Sequence, residues 1–546
     1  MLKGLPIGIS DFKTVIENNY YYIDKTLFIE EICKNTGKTL LFTRPRRFGK
    51  TLNMSTLKYF FDIENAVKNK KLFNNLYIGT SDYVKEQGKY PVIFISFKDI
   101  KKQSWSDCYK GIRNLISDLF DEHKYLREKL DERNRNKFDK IWFNNDDGDY
   151  EGALRNLCKY LFEYYNQKVV ILFDEYDTPI VSAYEHNYYD NGINFFKNLY
   201  SAVMKDNEYL QIGVMTGILR IAKEGIFSGL NNLTVYTILD EKYSEYFGLT
   251  EKEVTEVLDY YGLKYKISDI KLWYDGYKFG NSDIYNPWSI LSYIEKKEID
   301  TYWVGTSDNY LINELLENSS INLFDEMKEI FKGKLIEKTL DLNSNLKNLG
   351  NPQEIWQLML YSGYLTVDEK ISARTYNLKL PNQEIKSFFY ETFIDKFLGN
   401  VSSFKKMISN LLKCNVEEFE KGLQEILLMY MSFYDTDRAE EKFYHNLMLG
   451  MAISLDENFN VSSNKESGYG RPDMVIEPVS KHNTGYIFEF KVAKAEKEMY
   501  LKAQEGLQQI ENKKYDVDLK RKGISKVLIL GIAFCGKKVK VEYKFI

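Results

Sequence analysis

At 546 residues the chain is longer than one hydrophobic core usually supports, and roughly 150 residues per domain gives three or four units. Apolar residues at 44% and charged residues at 28%, without a long Pro/Gly/Ser tract or a repeat, exclude a disordered or fibrous chain. A net charge of −4, from 75 basic and 79 acidic residues, excludes a protein that is basic throughout, so any nucleic-acid contact must be local.

The opening MLKGLPIGISDF has no charged stretch followed by an apolar core, and no apolar run of about 18 residues occurs anywhere. A soluble cytoplasmic protein that does not contact a membrane is expected. Cys33, Cys108, Cys158, Cys414 and Cys535 are odd in number and far apart, with no CxxC pair and no zinc spacing, as reduced thiols would be.

Residues 39–43, TLLFT, have strand character; RPRRFGKT turns the chain, and LNMSTLKYFF continues as an amphipathic helix. Strand, loop with Gly-Lys-Thr, helix is the order of a phosphate-binding loop. Gly49 would let the backbone approach a phosphate, Lys50 would reach the β/γ-phosphates, and the Thr51 hydroxyl would ligate Mg²⁺ at the positive end of the helix. The full GxxxxGK[ST] pattern wants glycine at 44, where Arg44 stands, and an ordinary loop before a helix is the bland alternative. In VVILFDEYD, 169–177, five apolar residues form a buried strand that ends in acids. Asp174 would hold Mg²⁺ through water and Glu175 would polarise the attacking water; otherwise they are solvated carboxylates at a strand end. A third strand, LQIGVMTGI at 210–218, ends in Thr216, a γ-phosphate sensor by position, with Arg220 just beyond.

The strings YYIDKT, LLFTRPRRFGKTLNMS, ILFDEYDTPI and MTGILRIAKEGIFSGLNNL resemble the bacterial AAA-ATPase-like family that often carries a nuclease-like C-terminus. That resemblance spans nearly the whole chain and implies an AAA-like P-loop fold with ATP and Mg²⁺ as cofactors. It also makes Arg44 a family trait, since the family pattern has Arg-Pro-Arg-Arg in this loop. Arg44, Arg46 and Arg47 are candidates to grip phosphate or nucleic acid, with a solvated basic turn as the alternative.

After TILD at 237–240 the pattern turns helical. LTEKEVTEVLDYYG carries a capping box, Thr250 with Glu253, and an all-helical lid is expected. The aromatics of WYDGYKFG (273–280) and YNPWSILSYI (285–294) read as packing. EIWQLMLYSGYLTV (354–367) reads as helix into strand, RTYNLKLPN (374–382) as a second strand and EIKSFFYETFIDKFL as a helix, which together suggest a winged-helix-like module. Few Arg or Lys stand at its hairpin tip, which favours packing over DNA binding.

EEKFYHNLMLG (440–450) has helical period, with Glu441 and His445 on one face. Asp473 precedes the strand MVI, and GYIFEFKVAK (485–494) is a second strand with Glu489 and Lys491 on the same side. Pro472-Asp473, fifteen residues, then Glu489-Phe490-Lys491 spells PD-(D/E)xK. Cutting a phosphodiester calls for a hard cation on carboxylate oxygens. Asp473, Glu489 and Glu441 would be metal ligands and Lys491 would orient water or stabilise charge; alternating charge on a solvated strand is the alternative. The helix KAQEGLQQIENKKYD (502–516) directs Gln509 at the same region, and the strand KVLILGIAF (526–534) follows. The family pattern ends in a Gln-Ile helix and a Lys-Tyr pair, here Gln509-Ile510 and Lys514-Tyr515.

The expected organisation is α/β: a P-loop AAA-like ATPase domain (1–245), a helical lid and winged-helix-like region (246–398), and a restriction-endonuclease-like PD-(D/E)xK domain (399–546). The expected activity is ATP-regulated, Mg²⁺-dependent nucleic-acid cleavage, on DNA before RNA, with homo-oligomer formation left open. The alternative is a nucleotide-switched nucleic-acid-binding or assembly protein whose nuclease fold is not catalytic.

Overall fold

The computed structural model describes residues 2–221, 232–303, 326, 329–330, 333–340, 352–389, 401–430, 459–463 and 467–546. The chain divides into two compact units, Met1–Lys386 and Ser387–Ile546.

In the first unit five strands, β1 (Thr39–Thr43), β2 (Val92–Ser96), β3 (Val169–Asp174), β4 (Leu210–Gly217) and β5 (Leu233–Tyr236), form a parallel sheet in the order β2-β3-β4-β1-β5. Every residue of β1 and β3 is buried, as strands covered on both faces must be. On one face the helices Phe12–Glu17, Leu27–Lys34 and Lys50–Phe61 bury Phe12, Phe28, Leu57 and Phe60 against Leu40, Phe42, Leu172 and Val214. On the other, Phe196 and Tyr200 of helix Tyr189–Met204 pack on Phe97 and Phe173. Each such side chain contributes roughly 1.5–3 kcal/mol by leaving water. Parallel pairing brings the C-terminal strand ends to one edge, where ligands of open α/β sheets bind. β4 lies between β1 and β3, so Thr216 stands beside the loop that follows β1.

Further along, helix Glu251–Tyr260 begins with the expected capping box: the Glu253 amide donates to the Thr250 hydroxyl and the Glu253 carboxylate accepts from the Thr250 amide. Helices dominate here, but the segment is not all-helical. β6 (Leu249–Thr250), β7 (Tyr277–Phe279) and β8 (Ser282–Tyr285) make a small antiparallel sheet, β6-β8-β7. The reversal between β7 and β8 runs through Gly280 at φ +54°, against the backbone of Asp240 and Glu241. Tyr274, Tyr277, Phe279 and Tyr285 are buried, so these aromatics are packing. Beyond it, β9 (Ile336–Thr339), β10 (Thr366–Lys370) and β11 (Thr375–Lys379) form an antiparallel sheet, and helix Pro352–Tyr361 leads into β10, as the helix-into-strand pattern predicts.

The second unit holds β12 (Phe459–Ser463), β13 (Met474–Pro478), β14 (Gly485–Val492), β15 (Val527–Cys535) and β16 (Lys538–Phe545) in sequential order, with β14 and β15 parallel and the other pairs antiparallel. Helices Val401–Leu412 and Val416–Tyr430 cover one face over Ile476, Phe488, Leu530 and Ile532. Helix Met499–Lys513 covers the other over Ile487 and Ile529.

Candidate functional site

The loop after β1 turns at two left-handed residues, Arg47 (φ +67°) and Gly49 (φ +82°), the second capping helix Lys50–Phe61. Lys50 is buried. Its ammonium donates to the carbonyls of Arg44 (3.2 Å) and Pro45 (3.1 Å) and lies 3.3 Å from a Glu175 oxygen. Asp174 is fully buried at the end of β3. It accepts hydrogen bonds from the hydroxyls of Thr51 (2.8 Å), Thr216 (2.7 Å) and Ser96 (3.3 Å), and burial followed by the Glu175 charge pushes its carboxyl above the usual range. Hard oxygen donors converge there, a set suited to Mg²⁺. Glu175 itself has φ +54°, a conformation that costs a non-glycine residue about 1 kcal/mol and that clusters at functional sites. A cavity of about 500 Å³ adjoins the group, lined among others by Arg46, Arg47, Lys50 and Glu175 and by the apolar Pro6, Ile7 and Trp288.

Arg44 is neither a phosphate grip nor part of a solvated turn. It is buried, donating to the carbonyls of Thr43 (2.8 Å), Tyr236 (3.0 Å) and Tyr243 (3.1 Å), with its guanidinium 5.0 Å from the Phe247 ring centre. Burial pulls its pKa down to about 9. Arg47 lies 3.9 Å from the Trp288 ring centre, a cation–π contact on the cavity wall.

The motif DEYD does more than carry two acids. The Asp177 carboxylate is buried and accepts the amides of Ile218 (2.8 Å) and Leu219 (2.7 Å). The Tyr176 hydroxyl donates to the Leu219 carbonyl (2.6 Å) and accepts from the Ile221 amide (3.2 Å). Arg220 is thereby bracketed by two anchored residues, and the exit of β4 is clamped to β3. Gly217 is required there, because a Cβ would lie 2.5 Å from Asp177 and 2.6 Å from the Tyr176 ring. A further brace reaches the loop: the Trp303 indole donates to the Arg46 carbonyl (3.1 Å), and the Trp303 amide donates to Glu384 (2.6 Å), which also accepts from Ser289 (2.8 Å). Burial raises the Glu384 carboxyl to about 7.

In the second unit Asp473, the residue just before β13, meets Glu489 of β14, the antiparallel neighbour of β13. The Phe490 amide donates to Asp473 at 2.7 Å. Glu489 is 3% exposed. One of its oxygens accepts from the Lys491 ammonium (3.0 Å) and from the Gln509 amide, while the other is buried without a hydrogen-bond partner. Burial, then the neighbouring Asp473, raises its carboxyl to about 7, partly offset by Lys491. An orphaned buried carboxylate oxygen beside a second acid is a donor set that fits a hard divalent cation. Glu441 and His445 lie outside the described residues, among which no cluster of three His, Cys, Asp or Glu stands ready for a metal. Gly531, in register with Glu489, and Gly506 on the covering helix let the two backbones close over the site: a Cβ at Gly531 would lie 2.1 Å from the Ala503 carbonyl.

Sequence reasoning missed Ser96, Tyr176, Asp177, Trp303 and Glu384. Asp177 had a local signal, the second Asp of DEYD, and Ser96 ends an apolar strand as Asp174 does. Trp303 and Glu384 had none, since their partners are distant in the chain.

The parallel sheet with its Lys-Thr loop and buried strand-end acid has the form of a phosphate-loop nucleotide-binding fold, and the second sheet, with its Asp, Glu and Lys, that of a nuclease-superfamily core. Residues 6–227 match the family model described as predicted AAA-ATPase, and residues 439–544 that of the PD-(D/E)XK nuclease superfamily. The chain thus carries an AAA-ATPase-like domain and a C-terminal PD-(D/E)XK nuclease superfamily domain. It is 26% identical over 553 residues to an uncharacterized protein in the vnfD 5′ region of Azotobacter chroococcum mcd 1, covering 97% of this chain and 96% of the relative. No helix among the described residues is long and apolar enough to cross a membrane.

Proposed function

We propose that the protein is an ATP-binding, Mg²⁺-dependent nuclease that cleaves DNA and whose cutting is regulated by nucleotide state. The observation that carries this reading is Glu489, with one oxygen held by Lys491 and Gln509 and the other orphaned beside Asp473. Asp473 and Glu489, with Glu441 as the third acid, would hold Mg²⁺, which when bound neutralises charge developing on the phosphate and lowers the pKa of a coordinated water. Lys491 orients that water and stabilises the developing charge, and Gln509 fixes the Glu489 rotamer. In the first unit Gly49, Lys50, Arg46 and Arg47 face the phosphates, and Thr51 with Asp174 forms the second Mg²⁺ site. Glu175 orients the attacking water, and Thr216 senses the γ-phosphate through its bond to Asp174. The apolar residues in the cavity lining, Pro6, Ile7 and Trp288, suit the base.

The deciding experiment pairs calorimetric Mn²⁺ binding with cleavage of labelled single- and double-stranded DNA and RNA, with and without ATP, for the parent and three variants. Asp473→Ala and Glu489→Ala are expected to lose metal binding at the nuclease site and all cleavage. Lys491→Ala is expected to keep metal and lose cleavage. A Lys491→Ala protein that cuts as fast as the parent, or an Asp473→Ala protein that binds metal unchanged, reduces the nuclease resemblance to a fold without an active site.

A further inference from the structure

Tyr469 is 71% exposed, four residues ahead of Asp473. An exposed aromatic ring alone means little; its mounting gives this one significance. The turn that carries it is closed on itself, the Ser467 amide donating to the Gly470 carbonyl at 2.9 Å and the Gly470 amide to the Ser467 carbonyl at 3.3 Å. It is also bolted to the end of helix Met499–Lys513, because the Tyr469 amide donates to the Lys513 carbonyl (2.7 Å) and the Ser467 hydroxyl to the Tyr515 carbonyl (2.7 Å). Gly468, at φ +57°, makes this seat feasible: a Cβ there would lie 2.2 Å from the Lys514 carbonyl oxygen and 2.3 Å from that of Lys513. Gln509, which bonds Glu489, is four residues before Lys513 on the same helix, about 6 Å along the axis. The Gln509 amide also reaches the Tyr515 hydroxyl at 3.5 Å. The backbone that carries the ring is therefore anchored to the helix that also carries Gln509, while the ring itself stands in water.

Its surroundings are cationic. Lys513, Lys514 and Arg471 are exposed around the turn, and the Lys514 ammonium lies 5.8 Å from the Tyr469 ring centre. Of the acids around this helix end, Glu511 is paired with Lys544 and Asp516 with Lys520, each at 2.5 Å. A rigid aromatic face among lysines, beside a phosphodiester-cutting site, matches how single-stranded nucleic acid is held: cations follow the backbone and a ring takes a base. Because the backbone beneath the ring is already fixed, only the two side-chain torsions of Tyr469 are ordered when a base stacks on it.

We infer that Tyr469 is the stacking platform for an unpaired base next to the cleaved phosphate, so that the substrate of the second unit is a single strand or the frayed end of a duplex. This rests on the nuclease reading of Asp473 and Glu489. A duplex with all its bases paired offers no free face to the ring, whereas a single strand does.

The test is fluorescence anisotropy with a short labelled single strand and a fully paired duplex of the same sequence closed at both ends by G·C pairs, in EDTA so that nothing is cut. Tyr469→Ala is expected to weaken single-strand binding by about tenfold with an unchanged salt dependence, and to leave duplex binding as in the parent. Tyr469→Trp is expected to retain or improve it, and Lys514→Ala to reduce the slope of log affinity against log salt by about one. Single-strand binding by Tyr469→Ala equal to the parent's overturns the inference, as does an equal loss on both probes. If sedimentation shows Tyr469→Ala breaking a dimer while strand binding stays intact, the ring is a protein contact and the inference is likewise wrong. A parent that binds neither probe overturns the nuclease reading itself, and this inference with it.

Discussion

Single side chains carry most of the chemistry, and their charge states can be measured. Glu489 is the clearest case: a carboxyl raised to about 7 in the fold, against an ordinary value near 4.5, binds a proton that the unfolded chain releases. Its negative charge therefore costs the metal-free protein stability above pH 7, by about 3 kcal/mol at most, and that cost fades as pH falls from 7 towards 4.5. Glu489→Gln is expected to melt higher than the parent at pH 8 in EDTA and level with it near pH 4.5, with cleavage abolished throughout. Lys50 gives a second prediction. Its removal takes away the one side-chain cation among the loop carbonyls, so Lys50→Ala should weaken ATP binding roughly ten- to hundredfold by titration calorimetry, while Glu175→Gln should bind ATP and hydrolyse it slowly. That Thr51 meets Asp174, Lys50 meets Glu175 and Asp473 meets the Glu489 strand was legible in the motif spacing. Arg44 was not. A guanidinium after a strand reads as solvent-facing, and its carbonyl partners at Tyr236 and Tyr243 are 192 and 199 positions away.

At the scale of elements, the strands with long apolar runs were read correctly: β1, β3, β4, β13, β14 and β15 all fall where those runs place them. β2 and β5 carried no motif, β12 and β16 are edge strands with polar residues, and the β7–β8 hairpin was lost in a stretch whose aromatics fit a helix equally well. What no periodicity reveals is how closely two elements approach. The seat of helix Met499–Lys513 on β15 depends on Gly531, where an added methyl would meet the Ala503 carbonyl at 2.1 Å, and on Gly506, where it would meet the Glu489 carbonyl at 3.3 Å. Gly531→Ala must therefore lift the helix, costing about 3 kcal/mol, and lift Gln509 away from Glu489 with it. Thermal melting should fall and cleavage should drop further than the lost stability explains. Gly506→Ala, with more room, should have the smaller effect on both. Equal effects from the two would mean that the helix is not held by this contact.

For the molecule as a whole, the two units meet in sequence between Lys386 and Ser387, and the buried carboxylate of Glu384 lies just ahead of that point. It holds the Trp303 amide and the Ser289 hydroxyl, and Trp303 in turn holds the phosphate loop at Arg46. The last residues before the second unit therefore belong to the packing of the first. This bears on how such chains can be recombined. A gene fusion that joins a different nuclease unit at residue 380 would strip the first unit of Asn382 and Glu384, leaving a buried amide and a buried hydroxyl unpaired, each at about 1–3 kcal/mol. One that joins it after residue 389 keeps them. Fragment 1–389 should accordingly melt cooperatively and bind ATP, whereas fragment 1–380 should melt roughly 5–10 °C lower and bind ATP more weakly, by calorimetry on both. The join that nature can exchange freely is then set by a carboxylate near the boundary and not by the boundary itself.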